Sequence, residues 1–410
     1  MWKEEPKEPG ISRALGTYAR DGVFSCAAVA AGNLKEPFHV EVSGRRTWLP
    51  RGPVAKLDDL FDLASLTKPL VTGSLLALAV GKGKLSLEAN VERYLPAVKG
   101  TGWASRQIWQ LASHCAGASA TPQGDLEALY GELLVLRNQN NGVSLDRLVA
   151  AETATLEALF RLEPLREPAQ TLYSDLGYWV LGLVLENVWG APLDRAFNDQ
   201  LLRPLGLESE LGFRRWEPPK TGAKHPFSRG IAKGREVVAT VECPRRGRLL
   251  QGEVHDPLCW SLGGVAGHAG LFGSLYGVYT LVTEWLKAYR GETSVFHSAT
   301  IVKFWSKQRV PAGTTWAIAW DTPSGQGSTA GDRWSRSGAG HLGFTGTSVW
   351  VDLKTDVMGV LLTNAAHWPG DAKRDVLKRL RRSVYDAISI AGQSQTQGGA
   401  QGAAAFGSRT

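Results

Sequence analysis

Ser65 and Lys68 stand three positions apart, so on a helix the hydroxyl of one would face the amine of the other. A serine with a proton acceptor one turn away is the minimum equipment for nucleophilic attack on a carbonyl. The pair lies in Phe61-Asp-Leu-Ala-Ser65-Leu-Thr-Lys68-Pro-Leu, which runs into the apolar segment Val71 to Val80. Helical periodicity predicts Ser65, Lys68 and Thr72 on one face, with Leu70, Leu75, Ala77 and Leu78 opposite. Pro69 lacks an N–H and belongs in a first turn, which places Ser65 at the helix start. Free N–H groups and the helix dipole there favour a developing oxyanion. Ser65 is the candidate nucleophile. Serine is also an ordinary N-cap, and S-x-x-K arises by chance in long chains, so the rest of the sequence must supply partners.

Two further stretches can do so. Thr171-Leu-Tyr173-Ser-Asp175 precedes an apolar helix-like run, and Gly340-His341-Leu-Gly343-Phe344 precedes a predicted strand at Thr347–Asp352. Each places polar groups at the edge of a regular element that can aim them.

The elements that must hold these groups read as follows. Strand-like stretches occur at Val23–Ala31 and Phe38–Ser43, and again at Thr314–Trp320, Trp334–Ser337, Thr347–Asp352 and Val357–Thr363. Between about 103 and 207 the signals are helical, without a convincing strand. The pattern predicts an α+β fold: an antiparallel sheet built from both termini, flanked by helices, with an all-helical lobe inserted. Residues 1–98 and 260–391 are assigned to the sheet lobe and 99–259 to the helical lobe. An irregular excursion is expected at 208–255 and a disordered, Gly/Ala/Gln-rich tail at 392–410. A cleft between the lobes is the expected site.

Composition narrows the classes. With 43% hydrophobic and 21% charged residues the chain reads as an ordinary globular protein. The net charge of +7 is spread out. Its one dense run, Lys378-Arg-Leu-Arg-Arg382, reads as a solvated helix face, so no nucleic-acid partner is expected. Cys26, Cys115, Cys243 and Cys259 have neither metal-ligand nor disulfide-framework spacing and are expected to be buried thiols. Adjacent residues on a helix point apart, which argues against a nucleophilic pair at His114-Cys115. His255, Asp256, Cys259 and His268 match no common metal site and are assigned a structural role in a glycine-rich loop, with His268 kept as a possible cleft residue. No signal-peptide pattern or membrane-length run is read, so a cytoplasmic protein without a membrane span is expected.

With these residues in view, the chain resembles the serine β-lactamase and penicillin-binding-protein superfamily. The likeness is to the branch of class C β-lactamases, D-Ala-D-Ala carboxypeptidases, D-aminopeptidases and family VIII esterases. The ordered elements S-x-x-K, Y-x-N and K-T-G or H-x-G are matched by Ser65-Leu-Thr-Lys68, Tyr173-Ser-Asp175 and His341-Leu-Gly343. Leu111-Ala-Ser-His114-Cys-Ala-Gly117 and Gly264-Val-Ala-Gly-His-Ala-Gly-Leu-Phe also resemble family segments. The likeness covers roughly residues 10–390.

The resemblance implies a β-lactamase/transpeptidase-like fold and a metal-free, cofactor-free serine hydrolase working through an acyl-Ser65 intermediate. Lys68 and Tyr173 would share the general-base work, and a lysine beside that phenol in a partly desolvated cleft is expected to have a lowered pKa. The N–H groups of Ser65 and Phe344 would form the oxyanion hole, with Asp175, His341 and Gly343 contacting substrate. Two departures bear on specificity. Asp175 stands at the Asn position, and His341 replaces a fixed cation with a group mostly neutral at pH 7 that gains charge near its reference pKa of about 6.5. A pocket depleted of positive charge favours small esters or amides over carboxylate-bearing β-lactams and D-Ala-D-Ala peptides, which are the alternative. A reading of another class, a non-catalytic ligand-binding relative, is disfavoured because Ser65, Lys68 and Tyr173 are all present. The expected partner is a small acyl substrate; the oligomeric state is open.

Overall fold

The computed structural model describes residues 7–48, 52–122, 125–138, 145–161, 171–216, 229–230, 235–367 and 373–406. Its chain order begins α1 (Pro9–Arg20), β1 (Cys26–Gly32), β2 (Pro37–Gly44), β3 (Phe61–Asp62) and α2 (Ser74–Gly81). The helical middle holds α3 (Ile108–Ala112), α4 (Asp125–Asn138), α5 (Leu145–Arg161), α6 (Asp175–Trp189), α7 (Leu193–Phe197) and α8 (Arg203–Leu205). Then come β4 (Leu211–Arg215), β5 (Arg229–Gly230), β6 (Glu242–Cys243), β7 (Arg248–Leu249), α9 (Pro257–Ser261) and β8 (Leu271–Gly273). Last are α10 (Leu275–Tyr289), α11 (Ser298–Phe304), β9 (Gly338–Leu342), β10 (Ser348–Asp352), β11 (Met358–Thr363) and α12 (Lys373–Phe406).

The main sheet is antiparallel with the order β2-β1-β11-β10-β9, so strands from the two ends of the chain are neighbours. β1 is buried along its whole length because both faces of the sheet are covered. Cys26, Ala28 and Ala30 enter the large core with α2 and α10. Ala27, Val29 and Ala31 enter a second core with Ile11 and Leu15 of α1 and Leu380, Val384 and Ile388 of α12. That two-sided burial explains why β1 reads as a continuous apolar run while β2, at the sheet edge, mixes buried and half-buried residues.

Several expectations need correction. Thr314–Trp320 and Trp334–Ser337 are not strands. Ala317 N–H donates to Trp320 O and Ala319 has φ +64°, so the first run folds back on itself. The strand of that region is β9, which puts His341 on a strand rather than ahead of one. Residues 208–255 are not simply irregular: β4 and β5 join β3 and β8 in a second sheet, order β3-β8-β4-β5, and β6 pairs with β7. Strands of two to five residues are too short to leave a periodic signature. The tail expected to be disordered from Gly392 continues as helix to Phe406, since extending an already packed helix needs no new nucleus. Finally, Ala64–Gly81 is long and apolar enough to cross a membrane by length and composition, but most of it is buried in the large core.

Candidate active site

The Ser65 stretch is three kinds of helix in succession: a 3₁₀ turn at Ala64–Leu66, a π turn at Lys68–Gly73 and then α2. A π turn widens the ring around Pro69, whose missing N–H breaks the regular ladder. Ala64 sits in the left-handed region at φ +48°, which costs a residue with a Cβ about 1–2 kcal/mol. Its N–H is held by Asp62 Oδ1 at 2.9 Å. The strained turn leaves Ser65 half-buried at the wall of a cavity of about 740 Å³.

Lys68 is wholly buried and donates three hydrogen bonds: to Ser65 Oγ at 3.0 Å, Asp175 Oδ1 at 2.7 Å and His268 O at 3.1 Å. Three acceptors around one nitrogen describe an ammonium, not an amine. Burial alone would push its pKa down, but Asp175 and the Tyr173 oxygen outweigh burial, and the net direction is up. The expected lowering of the Lys68 pKa is therefore overturned, and Asp175 is the reason. Tyr173 lies with its ring centroid 4.8 Å from Lys68 Nζ. Burial, with Asp175, pushes its phenol up; the Lys68 ammonium and hydrogen bonding to Lys68 and Ser65 offset this only in part, and the net direction is up.

The third element, His341-Leu-Gly343, comes from β9 and the turn into β10. Gly343 is required here: a Cβ would meet Thr347 Oγ1 at 2.0 Å and Leu63 O at 2.8 Å, closing off the approach to the Ser65 turn. Thr345 Oγ1 donates to Asp62 O at 2.8 Å and Thr347 Oγ1 to Leu63 O at 3.2 Å, so the two turns are latched together. Among the described residues neither the Ser65 nor the Phe344 N–H donates within the protein. His341 is 2% exposed; its Nδ1 lies 2.8 Å from Leu342 O and its Nε2 has no partner. Burial, with Lys68 nearby, pushes its pKa down to about 3, so the expected titration near its reference value does not occur.

Ser65, Tyr173, Asp175, His341, Gly343 and Phe344 all line the cavity, so the structure brings together the residues singled out from sequence, with Lys68 just behind them. It does not bear out a pocket depleted of positive charge. Lys373, Arg374 and Arg381 of α12 also line it. Lys373 Nζ lies 3.8 Å from the Phe344 ring centroid, and burial brings its pKa down to about 8. Arg381 donates to Gly343 O at 2.7 Å and Thr347 O at 3.0 Å. It belongs to the run read as a solvated face, yet it shares the inward stripe with Leu377, Leu380 and Val384, a spacing visible in the sequence.

Other neighbours were missed or placed differently. His114 brackets Tyr173: its Nδ1 accepts the Ser174 N–H at 3.1 Å, its carbonyl accepts the Leu172 N–H at 2.8 Å, and its ring packs 4.4 Å from the Tyr173 ring. Cys115 is core, though it lies beyond the end of α3 and not on a helix. All four cysteines are free; Cys243 is only half-buried. His268 is fully buried with Nε2 3.0 Å from Asp256 Oδ1, while His255 and Asp256 reach the cavity. Trp316 and Asp321 line it from the folded-back loop, which no sequence pattern announces. Asp62, a lone charge in an apolar run three residues before Ser65, was legible as an anomaly.

The chain is 29% identical over 331 residues to a Salmonella paratyphi A protein named "Putative D-alanyl-D-alanine carboxypeptidase", covering 77% of this chain and 71% of that one. Two solved structures share the fold. EstCE1, described as a hydrolase with promiscuous acyltransferase activity, superposes with a TM-score of 0.65 at 21% identity, over 93% of this chain and 97% of its own. A family VIII carboxylesterase gives 0.63 at 16% identity, over 94% and 99%. The family model described as Beta-lactamase matches residues 21–382, and the chain belongs to the Beta-lactamase family.

Proposed function

We propose that this protein is a serine hydrolase that transfers an acyl group to Ser65 and then to water. The carrying observation is the Lys68 ammonium 3.0 Å from Ser65 Oγ, at a cavity where the N–H groups of Ser65 and Phe344 have no protein acceptor. Ser65 Oγ accepts from Lys68, so its own proton is free to pass toward Tyr173 as the oxygen attacks a carbonyl carbon. Tyr173, a neutral phenol, takes that proton as its own hydroxyl proton moves on toward the leaving group, while the Lys68 ammonium keeps its hold on Ser65 Oγ. Charge developing on the carbonyl oxygen is met by the two N–H groups. The leaving group departs carrying the proton relayed by Tyr173, and an acyl-Ser65 ester remains. Water attacks that ester by the reverse relay, giving the free acid and restoring Ser65.

On the substrate, the α12 cations support acyl compounds bearing an anionic group beside the scissile bond. Arg374 is exposed at the cavity and Lys373 keeps its charge below about pH 8. A peptide ending in D-alanyl-D-alanine, the substrate named for the Salmonella relative, has such a carboxylate, as does a β-lactam. Simple esters, suggested by the carboxylesterase likeness, would use the same nucleophile without the cationic wall. The test is intact mass and turnover with a penicillin, a D-alanyl-D-alanine peptide and a neutral aryl ester. Acylation confined to one residue, lost in Ser65→Ala, with the anionic compounds preferred, is the expected result. No adduct and no turnover with any of them would leave a ligand-binding relative instead.

A further inference from the structure

We propose that Asp62 is a positioning residue that holds the Ser65 turn and the Phe344 turn in register through hydrogen bonds received on both its side chain and its carbonyl. The inference rests on the reading of Ser65 as nucleophile and adds a residue outside the three sequence elements.

Asp62 ends β3 and is 1% exposed. Its two carboxylate oxygens have separate duties. Oδ1 accepts the N–H of Ala64, whose left-handed conformation presents Ser65, and Oδ2 accepts the N–H of His255 at 2.7 Å. The His255 ring in turn stacks on Phe344, with centroids 5.1 Å apart and planes 22° apart. The Asp62 carbonyl takes the Thr345 hydroxyl from the far turn. One residue thus touches the neighbours of both anion-facing N–H groups. Burying a carboxylate without a bonded cation is unfavourable. A neutral amide has one acceptor oxygen where this position must satisfy two N–H donors, and only an ionised carboxyl supplies both in that space.

The arrangement has a pH consequence. Around the carboxylate stand His255, Asp256 and Cys259 from the segment leading into and through α9, with Arg246 from the β6–β7 turn. His268 and Lys68 in turn face Asp256. Burial and Asp256 push the Asp62 pKa up, the two N–H bonds pull it down, and it settles at about 6. His255, pushed down to about 4, remains neutral through that range. Once protonated, Asp62 keeps one good acceptor oxygen and must release one N–H. Asp62→Asn is a permanent copy of that state.

The experiment compares the parent with Asp62→Asn and Thr345→Val, using a chromogenic aryl ester across about pH 5 to 9, a boronic acid that forms a tetrahedral adduct on serine, and intact mass. In Asp62→Asn, kcat should fall about ten- to a hundredfold with KM nearly unchanged, part of the loss seen when an oxyanion donor is removed outright. Boronate affinity should weaken by a similar factor, and the acid limb near pH 6 should vanish. Thr345→Val should lose several-fold in kcat and keep the limb. A parent-like kcat in Asp62→Asn, or an acid limb that survives in it, overturns the proposal. Should that variant not fold, a parent without an acid limb near pH 6, or an unaffected Thr345→Val, overturns it equally. If the parent itself forms no Ser65 adduct, the nucleophile reading is what failed, and the Asp62 role falls with it.

Discussion

Asp175→Asn is the substitution that most directly interrogates the proton relay. The carboxylate holds Lys68 as an ammonium from 2.7 Å, and its side chain is 25% exposed. A charge pair at that distance is worth about 1.5 kcal/mol if fully water-screened and about 6 kcal/mol at an effective dielectric near 20. Partial exposure places the pair between these limits, and about 3 kcal/mol corresponds to about two pKa units. Asparagine keeps an acceptor oxygen for the Lys68 N–H, so position is preserved while charge is removed. Burial is already the largest single influence on Lys68, and without the carboxylate to oppose it the pKa comes down. The assay is stopped-flow acylation by an aryl ester from about pH 5 to 10, in parent and variant. The variant's basic limb should move down by about one to two units, slowing acylation at the alkaline end where Lys68 loses its ammonium, while the rate at neutral pH does not rise. An unmoved limb would refute the claim that Asp175 sets the charge state of Lys68 in the working enzyme.

Ser65→Ala should abolish turnover on every substrate while the melting temperature stays near the parent's, because the half-buried hydroxyl contributes little packing. Lys68→Ala and Tyr173→Phe should each slow acylation by at least about a hundredfold, and the double variant should lose little more than the worse single; additive losses would separate their roles. The ratio of kcat/KM for an anionic β-lactam over a neutral ester should owe nothing to His341, which remains neutral; it should rise below about pH 6 as the cavity-lining Asp321 is neutralised and fall above about pH 8 as Lys373 loses its proton. Arg374→Ala should lower that ratio several-fold; an unchanged ratio would remove the cationic wall from the specificity argument. Asp62 is protonated more readily folded (about 6) than unfolded (3.8), so its burial is free below the lower value and costs stability as pH rises through the higher, up to about 3 kcal/mol. Chemical denaturation at low and neutral pH should therefore show the parent losing ground to Asp62→Asn as pH increases.

The sequence by itself determined the identities and order of the reacting groups. Ser65 and Lys68 are local, their contact set by three residues of helical turn, and it survived although the helix turned out to be 3₁₀ and π rather than regular α. The sheet from both termini was also legible, because strands of six to eight residues leave an apolar run or an alternation. The inward stripe on α12 carried Arg381 within it, although the charge run concealed the spacing. Charge states were a different matter. A lysine's pKa depends on what lies within a few ångströms, and Asp175 is 107 residues away along the chain. His341 reads as a titratable pocket residue until β9 and its neighbours bury it. The cations that restore positive charge to the pocket arrive on a helix 30 residues beyond the third motif. Asp62 shows both sides: its anomaly is written in the sequence, but its work consists of hydrogen bonds from residues 193 and 283 positions later. Desolvation and Coulomb interactions follow distance in space, and only the folded chain sets those distances.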